Sequence, residues 1–264
     1  MFTPVIATEI EFYLHGADEK FTPEQIITLV KEGCDKACIW LASAEQERGR
    51  NQYEIALNPS PDYKSVATAT EYFKTVLADT FLPHGIKDDF SAKPLPDQPG
   101  SGLHIHLHLE DTQGVNIFTR ENDVFSAPLL HAMGGLLAGM NPNMMVFAPY
   151  PESYLRFTGK SNAPTTVSWG TNNRTTALRL PNKPLNNKHI EHRVAGSDAN
   201  ILQVIEVILA GAFYGIEKRC NPGEPIYGDA SLPQYNLPLL ARNIEEAAKY
   251  REEAANNVKA STDY

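Results

Sequence analysis

The stretch LHIHLHL at residues 103–109 alternates strictly between apolar and histidine side chains. Successive side chains of a β-strand point to opposite faces of a sheet, so this pattern predicts a strand with one apolar face and one face bearing three histidines. Residues 5–14 alternate in the same way and place Glu9, Glu11 and Tyr13 on one face. Together the two segments predict a sheet that is apolar on one side and carries ionisable side chains on the other.

Two further segments extend this polar face. Residues 52–57 place Glu54 opposite apolar side chains, and residues 190–194 do the same for Glu191 and Arg193. For any one strand, a solvent-exposed face is the simpler interpretation. The side chains found here, however, are potential metal ligands rather than the Thr, Lys and Ser usual at such positions: Glu9, Glu11, Glu54, His104, His106 and Glu191.

The types of these side chains indicate which metal they would hold. Carboxylates that converge on one surface repel each other unless cations neutralise them. A set of mainly carboxylates with one or two imidazoles suits Mg²⁺ or Mn²⁺ better than structural zinc. Two neighbouring glutamates on one strand face can each serve a different ion, which predicts a site for two or more ions.

Arginines and a glycine-rich loop complete the candidate residues. Arg156, Arg174, Arg179 and Arg193 lie in segments of otherwise modest basic content. Surface ion pairs are one interpretation; beside a cation cluster, guanidinium groups instead predict clamps for phosphates and a carboxylate. The PGSG loop at residues 99–102 precedes the histidine strand and would let backbone N–H groups approach a ligand closely.

The composition excludes several classes of protein. The chain has 264 residues, 42% hydrophobic and 21% charged content, and a formal charge of -9. An acidic chain lacks the basic footprint of a nucleic-acid binder, so no nucleic-acid partner is expected. No apolar run reaches membrane-spanning length and the N-terminus does not resemble a signal peptide, so no membrane partner is expected. Three cysteines make no disulfide framework, and they favour a cytoplasmic location.

The remaining segments decide the fold class. Helical spacing predicts helices over 63–81, 125–139, 200–216 and about 239–258, and another that begins near Thr22. Strands and helices are mixed without regular βαβ alternation. This order favours an α+β fold, an antiparallel sheet with helices packed on one face.

Seven motifs occur in the order found in one known family. They are TEIEFYL (8–14), ERGRNQYEI (47–55), AKP (92–94), GSGLHIHLHL (100–109), SYLRF (153–157), NRTTALRLP (173–181) and IEHRVAGSDAN (190–200). Over residues 5–217 the chain resembles the catalytic domain of glutamine synthetase and the γ-glutamyl-amine ligases. The resemblance implies a curved antiparallel sheet like that of guanido kinases. It also implies a single catalytic domain over residues 1–264, with a C-terminal helical segment at 238–264.

The same resemblance implies a role for each matching residue. One metal ion would be bound by Glu11, Glu47 and Glu54, with Glu45 as the alternative to Glu47, and a second by Glu9, His104 and Glu191. His106 would contact the nucleotide phosphates. Arg174 and Arg179 would hold the nucleotide and the transferred phosphate as catalytic residues, and Gly100, Arg156 and Arg193 would bind the amino acid.

The implied reaction joins glutamate, or a similar amino acid, to ammonia or an amine. ATP first converts the γ-carboxylate into an acyl phosphate, and the amine then displaces phosphate. Mg²⁺ or Mn²⁺ ions are the implied cofactors and ATP is the co-substrate. The implied partners are these small molecules.

Three departures from the family pattern qualify this function. Eight residues precede Glu9, where the family carries a β-grasp domain, so a homo-oligomer or a partner chain is expected to supply that part. Asn162 stands where the family has a glutamate that accepts a proton, and Pro99 replaces an asparagine. An impaired or split homologue that binds nucleotide or amino acid as a regulator is therefore the alternative. A metal-dependent hydrolase or oxygenase would leave most motifs unexplained.

Overall fold

A mixed β-sheet forms the centre of the fold. The structure, a computed structural model, describes residues 2–121, 124–157, 163–184 and 187–262. Its strands are β1 (Thr3–His15), β2 (Leu41–Gln46), β3 (Gln52–Leu57), β4 (Lys87–Asp89), β5 (Leu103–Glu110), β6 (Arg120–Glu121), β7 (Val124–Phe125), β8 (Trp169–Thr171), β9 (Leu178–Leu180) and β10 (Ile190–His192). Its helices are α1 (Pro23–Lys36), α2 (Tyr63–Phe81), α3 (Ala127–Ala138), α4 (Met144–Phe147), α5 (Ile201–Lys218) and α6 (Ile244–Thr262).

The sheet follows the order β2-β3-β1-β5-β10-β9-β8, and β4 pairs with β1 at one end. The prediction of an α+β fold is confirmed, but the prediction of a purely antiparallel sheet is wrong at one edge. There β8 and β9 pair in parallel. The chain between them turns at Asn172, which has a φ of 50°. It then runs back along β8, so that Leu178 at the start of β9 lies beside Trp169 at the start of β8. Every other pairing among the described strands is antiparallel.

The helices cover the apolar face of the sheet, as predicted. Helix α2 packs on β1, α1 packs on α2 and β2, and α5 packs on α2 and α3. Phe12 from β1 and Phe73 from α2 are fully buried, and their ring centroids lie 5.5 Å apart. Alternation along β1 therefore sends its apolar residues into this core and leaves Glu9 and Glu11 on the opposite, uncovered face.

Most predicted helices lie where the spacing put them. Thr22 begins α1 with a capping box, in which its hydroxyl accepts from the backbone N–H of Gln25. The last helix begins at Ile244 rather than near Leu239, because the Asn243 side chain accepts from the backbone N–H of Glu246 and caps the helix there. Within the described residues, no helix has the length and apolar character needed to cross a membrane.

Candidate active site

Strand register brings the predicted ligands together on the uncovered face of the sheet. Glu11 lies opposite Glu54 across the β1–β3 pair, and Glu9 lies opposite His104 across the β1–β5 pair. Glu191 on β10 lies opposite His106. Directly opposed residues on antiparallel strands share a face and have neighbouring Cβ atoms. Side chains from four adjacent strands thus meet in the middle of the sheet.

Two overlapping groups of these side chains have donor atoms within 4.8 Å of one another. One group is Glu9, His104 and Glu191, and the other is Glu11, Glu54 and His104. His104 belongs to both because its Nδ1 lies 3.3 Å from Glu9, 3.9 Å from Glu54 and 3.8 Å from Glu191. The first group has the same members as one of the two ligand sets implied by the resemblance.

Glu47 lies outside the second group, although the resemblance assigned it there. It sits just after β2, and its carboxylate accepts from the backbone N–H of Arg48 at 3.3 Å. Burial, with a contribution from the nearby Glu11, raises its pKa. Glu45 is exposed and lies opposite Glu54 on the β2–β3 pair. Both carboxylates line the same cavity, and the assignment of Glu47 as a ligand stays a prediction.

The electrostatics of the cluster fit a divalent cation. Burial raises the pKa of Glu54 well above its usual range, and the charges of Glu9 and Glu11 raise it further. Burial alone would raise the pKa of Glu9 as well, but hydrogen bonds from His104 and His106 lower it overall. The carboxylates of the cluster would therefore carry more negative charge, if all were ionised, than its histidines can neutralise. A hard divalent cation is the ligand that such an oxygen-rich donor set suits.

This imbalance gives a prediction for the metal-free chain. Replacing Glu54 by glutamine is expected to raise the free energy of unfolding by more than about 1 kcal/mol at pH 7, since one unit of pKa is worth about 1.4 kcal/mol. For a chain of this size the melting temperature should rise by roughly 2–4 °C per kcal/mol. Thermal melts with a chelator would measure the effect. The sign follows because the raised pKa keeps Glu54 protonated in the folded state at pH 7 while it ionises in the unfolded state. The wild-type chain therefore loses stability as pH rises above about 4.3, and glutamine, which does not ionise, avoids this loss.

Addition of Mn²⁺ provides the matching control. Wild-type protein should be stabilised by Mn²⁺, whereas Glu54→Gln should gain less because it has lost a ligand. A metal-free melting temperature that falls on substitution would contradict the view that the carboxylates repel each other.

Arginines flank the cluster, and two of them bind one of its carboxylates. Arg179 donates from Nη1 to Glu191 at 2.6 Å and from Nη2 to Asn172 at 2.7 Å. Arg193 also forms an ion pair with Glu191. Although burial opposes ionisation of Glu191, the charge of Arg193 and those of His104, His106 and Arg179 together lower its pKa well below its usual range. Glu191 is therefore the member of the cluster that stays ionised through its contacts with arginine.

Arg156 is held by backbone rather than by a carboxylate. It is fully buried, and it donates to the carbonyl oxygens of Val194 at 2.8 Å and Arg193 at 3.2 Å. Burial lowers its pKa to about 10, which leaves it charged at neutral pH. Gly100 packs against it: a Cβ at that position would lie 2.9 Å from Arg156 Cγ and 2.5 Å from a backbone oxygen. Only glycine lets the loop approach this closely.

A cavity of about 450 Å³ connects these groups. It is lined by every predicted site residue except His106: Glu9, Glu11, Glu47, Glu54, Gly100, His104, Arg156, Arg174, Arg179, Glu191 and Arg193. His106 lies in contact with Glu9 and instead lines an adjoining cavity of about 230 Å³ with His108, Lys183 and His189. Asn162, the position that departs from the family glutamate, lies outside the described residues.

Sequence reasoning missed several residues that line these cavities. Ser43 and Arg48 come from β2 and the turn that follows it, and Asn172 binds Arg179. His189 packs edge-on against His106 with ring centroids 5.0 Å apart, and burial lowers its pKa to about 4. No alternation pattern marks these positions, since they lie in turns or on a short polar strand. Gln52, by contrast, shares a strand face with Glu54 and was visible in the pattern.

Comparison with known proteins decides the family. The family model described as glutamine synthetase, catalytic domain, matches residues 22–263. The chain belongs to this family. The γ-glutamylputrescine synthetase PuuA of Escherichia coli (strain K12) is 29% identical over 94% of this chain and 58% of that protein. The glutamate–isopropylamine ligase of Pseudomonas sp is 31% identical over 82% of this chain and 48% of that protein.

Comparison with a solved structure confirms the fold. The GmaS–ADP complex in its first conformation superposes with a TM-score of 0.84 at 22% sequence identity, and the alignment covers 96% of this chain and 64% of that one. This glutamine synthetase family member thus spans about half to two thirds of the length of the relatives it matches.

Proposed function

We propose that this chain carries the catalytic centre of an ATP-dependent ligase that joins a γ-carboxylate to ammonia or an amine. Glutamate or a similar amino acid is the proposed acid, and the product is glutamine or a γ-glutamyl amide. The observation that carries the proposal is the cavity in which two carboxylate–histidine groups meet five arginines. One compared relative is named a γ-glutamylputrescine synthetase and another a glutamate–isopropylamine ligase, which supports the same reaction class.

The chain's own residues suit the first half of this reaction. The γ-carboxylate oxygen would attack the terminal phosphorus of ATP, forming an acyl phosphate and releasing ADP. Arg174 and Arg179 line the cavity and offer guanidinium groups for the oxygens of the transferring phosphoryl group. Mg²⁺ or Mn²⁺, held by the two carboxylate–histidine groups, would supply charge neutralisation for the phosphates. His106 would contact the nucleotide from the adjoining cavity.

The amino-acid side of the cavity suits the second half. Arg156 is charged, buried and fixed by two backbone carbonyls, so it can orient a substrate carboxylate without first reorganising. Gly100 and Arg193 border the same space. The amine nitrogen would attack the carbonyl carbon of the acyl phosphate, which is a mixed anhydride. Inorganic phosphate would leave with both electrons of the broken C–O bond, and the nitrogen would release one proton to solvent. Positioning and electrostatics supply most of this catalysis, and no nucleophilic side chain is required.

Location and partners complete the proposal. The sparse cysteines favour a reducing compartment, so we place the protein in the cytoplasm. Because the compared relatives are longer than the matched region, a homo-oligomer or a partner chain that completes the active site is part of the proposal.

The proposal predicts phosphate release that depends on three substrates together. Purified chain with Mg²⁺ or Mn²⁺, ATP, glutamate and a panel of primary amines should release inorganic phosphate and form a γ-glutamyl amide of the expected mass. Arg179→Ala should reduce the rate by at least about 100-fold, since it removes a donor to the transferring phosphoryl group. Nucleotide binding without amide formation from any amine or ammonia would favour the regulator instead. Bound Fe²⁺ or Zn²⁺ with hydrolytic activity would favour a hydrolase or oxygenase.

A further inference from the structure

Two buried side chains join the turn after β2 to the loop before β5. The Tyr13 hydroxyl donates to the carbonyl oxygen of Pro99 at 2.8 Å. The Gln52 side-chain amide donates to the carbonyl oxygen of Gly100 at 3.1 Å. Both residues are only 1% exposed. Neither has a role in the reaction described above.

The same two side chains also contact the turn. Gln52 Oε1 accepts from the backbone N–H of Gly49 at 3.0 Å, and the Gln52 carbonyl oxygen accepts from the backbone N–H of Glu47 at 2.8 Å. A Cβ at Gly49 would lie 2.2 Å from the Tyr13 hydroxyl oxygen and 2.7 Å from Gln52 Oε1. The turn therefore packs directly on both side chains, and only glycine permits this distance.

The turn and the loop each carry a residue expected to bind a different ligand. Glu47, at the start of the turn, is predicted to bind a divalent cation. Gly100, in the loop, is predicted to contact the amino acid. Both line the same cavity. A displacement of the turn would move the loop as well, because Tyr13 and Gln52 are hydrogen-bonded or packed against both segments.

We propose that Tyr13 and Gln52 are positioning residues that couple the binding of the divalent cation to the binding of the amino acid. The assignment rests on the proposed function, which supplies the two ligands. Coupling between two sites is reciprocal, so each ligand should raise the affinity for the other by the same factor. Loss of the Tyr13 hydroxyl keeps the buried ring but breaks the contact with Pro99, and it should weaken this coupling without removing either site.

Calorimetric titration of Mn²⁺ into the full chain, with and without saturating L-glutamate, measures the coupling factor as the ratio of the two Kd values. Wild-type protein is expected to bind Mn²⁺ more tightly when glutamate is present. In Tyr13→Phe the factor should fall about fivefold, as expected for loss of one buried hydrogen bond. Tyr53→Phe is the matched control, because Tyr53 is also buried but faces the helices on the other side of the sheet.

A second variant tests the same assignment independently, in case Tyr13→Phe does not fold. Gln52→Met retains side-chain length but removes both amide contacts, and it should reduce the coupling factor in the same direction. A factor unchanged from wild type in folded Tyr13→Phe or folded Gln52→Met overturns the assignment while leaving the proposed function intact. Failure of the folded wild-type chain to bind either Mn²⁺ or glutamate overturns the proposed function, and this assignment with it.

Discussion

Replacing Glu191 by alanine is expected to lower the free energy of unfolding by about 3–5 kcal/mol, the usual effect of removing one partner from a buried ion pair. Glu191 is 1% exposed and accepts from both Arg179 and Arg193. Its removal would leave two largely buried guanidinium groups without their shared carboxylate. Denaturant unfolding of the metal-free chain, with the midpoint and slope fitted together, would measure this loss.

An exposed ion pair gives the matched control for this variant. Glu217 contacts Lys218 at 2.9 Å at the end of α5, where both side chains are more than half exposed. Glu217→Ala should change stability by no more than about 1 kcal/mol. Glu191→Gln, which keeps the shape and one acceptor oxygen, should fall between the two. If Glu191→Ala were no worse than Glu217→Ala, the two arginines would not depend on Glu191 for charge compensation.

The face of each strand could be predicted from the sequence because side-chain direction is a local property. Alternation along β1 and β5 decides which residues point away from the helices, whatever the strands later pair with. Glu9 and His104 therefore appeared correctly on the ionisable face. Their contact with each other could not be predicted from alternation, since it depends on the register between strands 95 residues apart in the chain.

Short or polar segments account for most of what was missed. Strand β2 has the sequence LASAEQ, whose small and polar residues give no apolar stripe, and β8 has only three residues. Pairing with longer neighbours stabilises such strands, and propensity contributes little. The membership of the second ligand group could not be predicted from the sequence either. Whether Glu47 joins it depends on the conformation of a turn held by Tyr13 and Gln52, which residue spacing does not encode.

Arg179 and Arg193 share a contact, although the resemblance assigns them different roles. The resemblance assigned Arg179 to phosphate and Arg193 to the amino acid, yet both contact Glu191. The two observations are compatible, because a guanidinium group has five N–H donors and can hold a carboxylate while donors remain for a ligand. Glu191 would then fix the orientation of both arginines as well as serve as a ligand, which explains why four side chains act together to keep it ionised.

His104→Ala and Glu54→Gln are each expected to remove one ion, and the two substitutions should remove different ions. The reason is that the one lone pair of His104 Nδ1 can bind only one ion. Nδ1 lies nearest to Glu9, at 3.3 Å, whereas Glu54 belongs to the other group. Loss of a residue that only orients a ligand already weakens metal affinity by about 10–100-fold, so loss of the ligand itself should exceed about 100-fold. Calorimetric titration with Mn²⁺ would report both the number of ions bound and their affinities.

His108→Ala is the matched control for this experiment. His108 lies on the same face of β5, four residues beyond His104, and its Nε2 is 3.3 Å from Glu110, outside both groups. It should therefore leave the number of bound ions unchanged, while His104→Ala and Glu54→Gln each reduce that number by one. Loss of both ions in His104→Ala would contradict this assignment, since it would mean that Glu11 and Glu54 cannot hold an ion without His104.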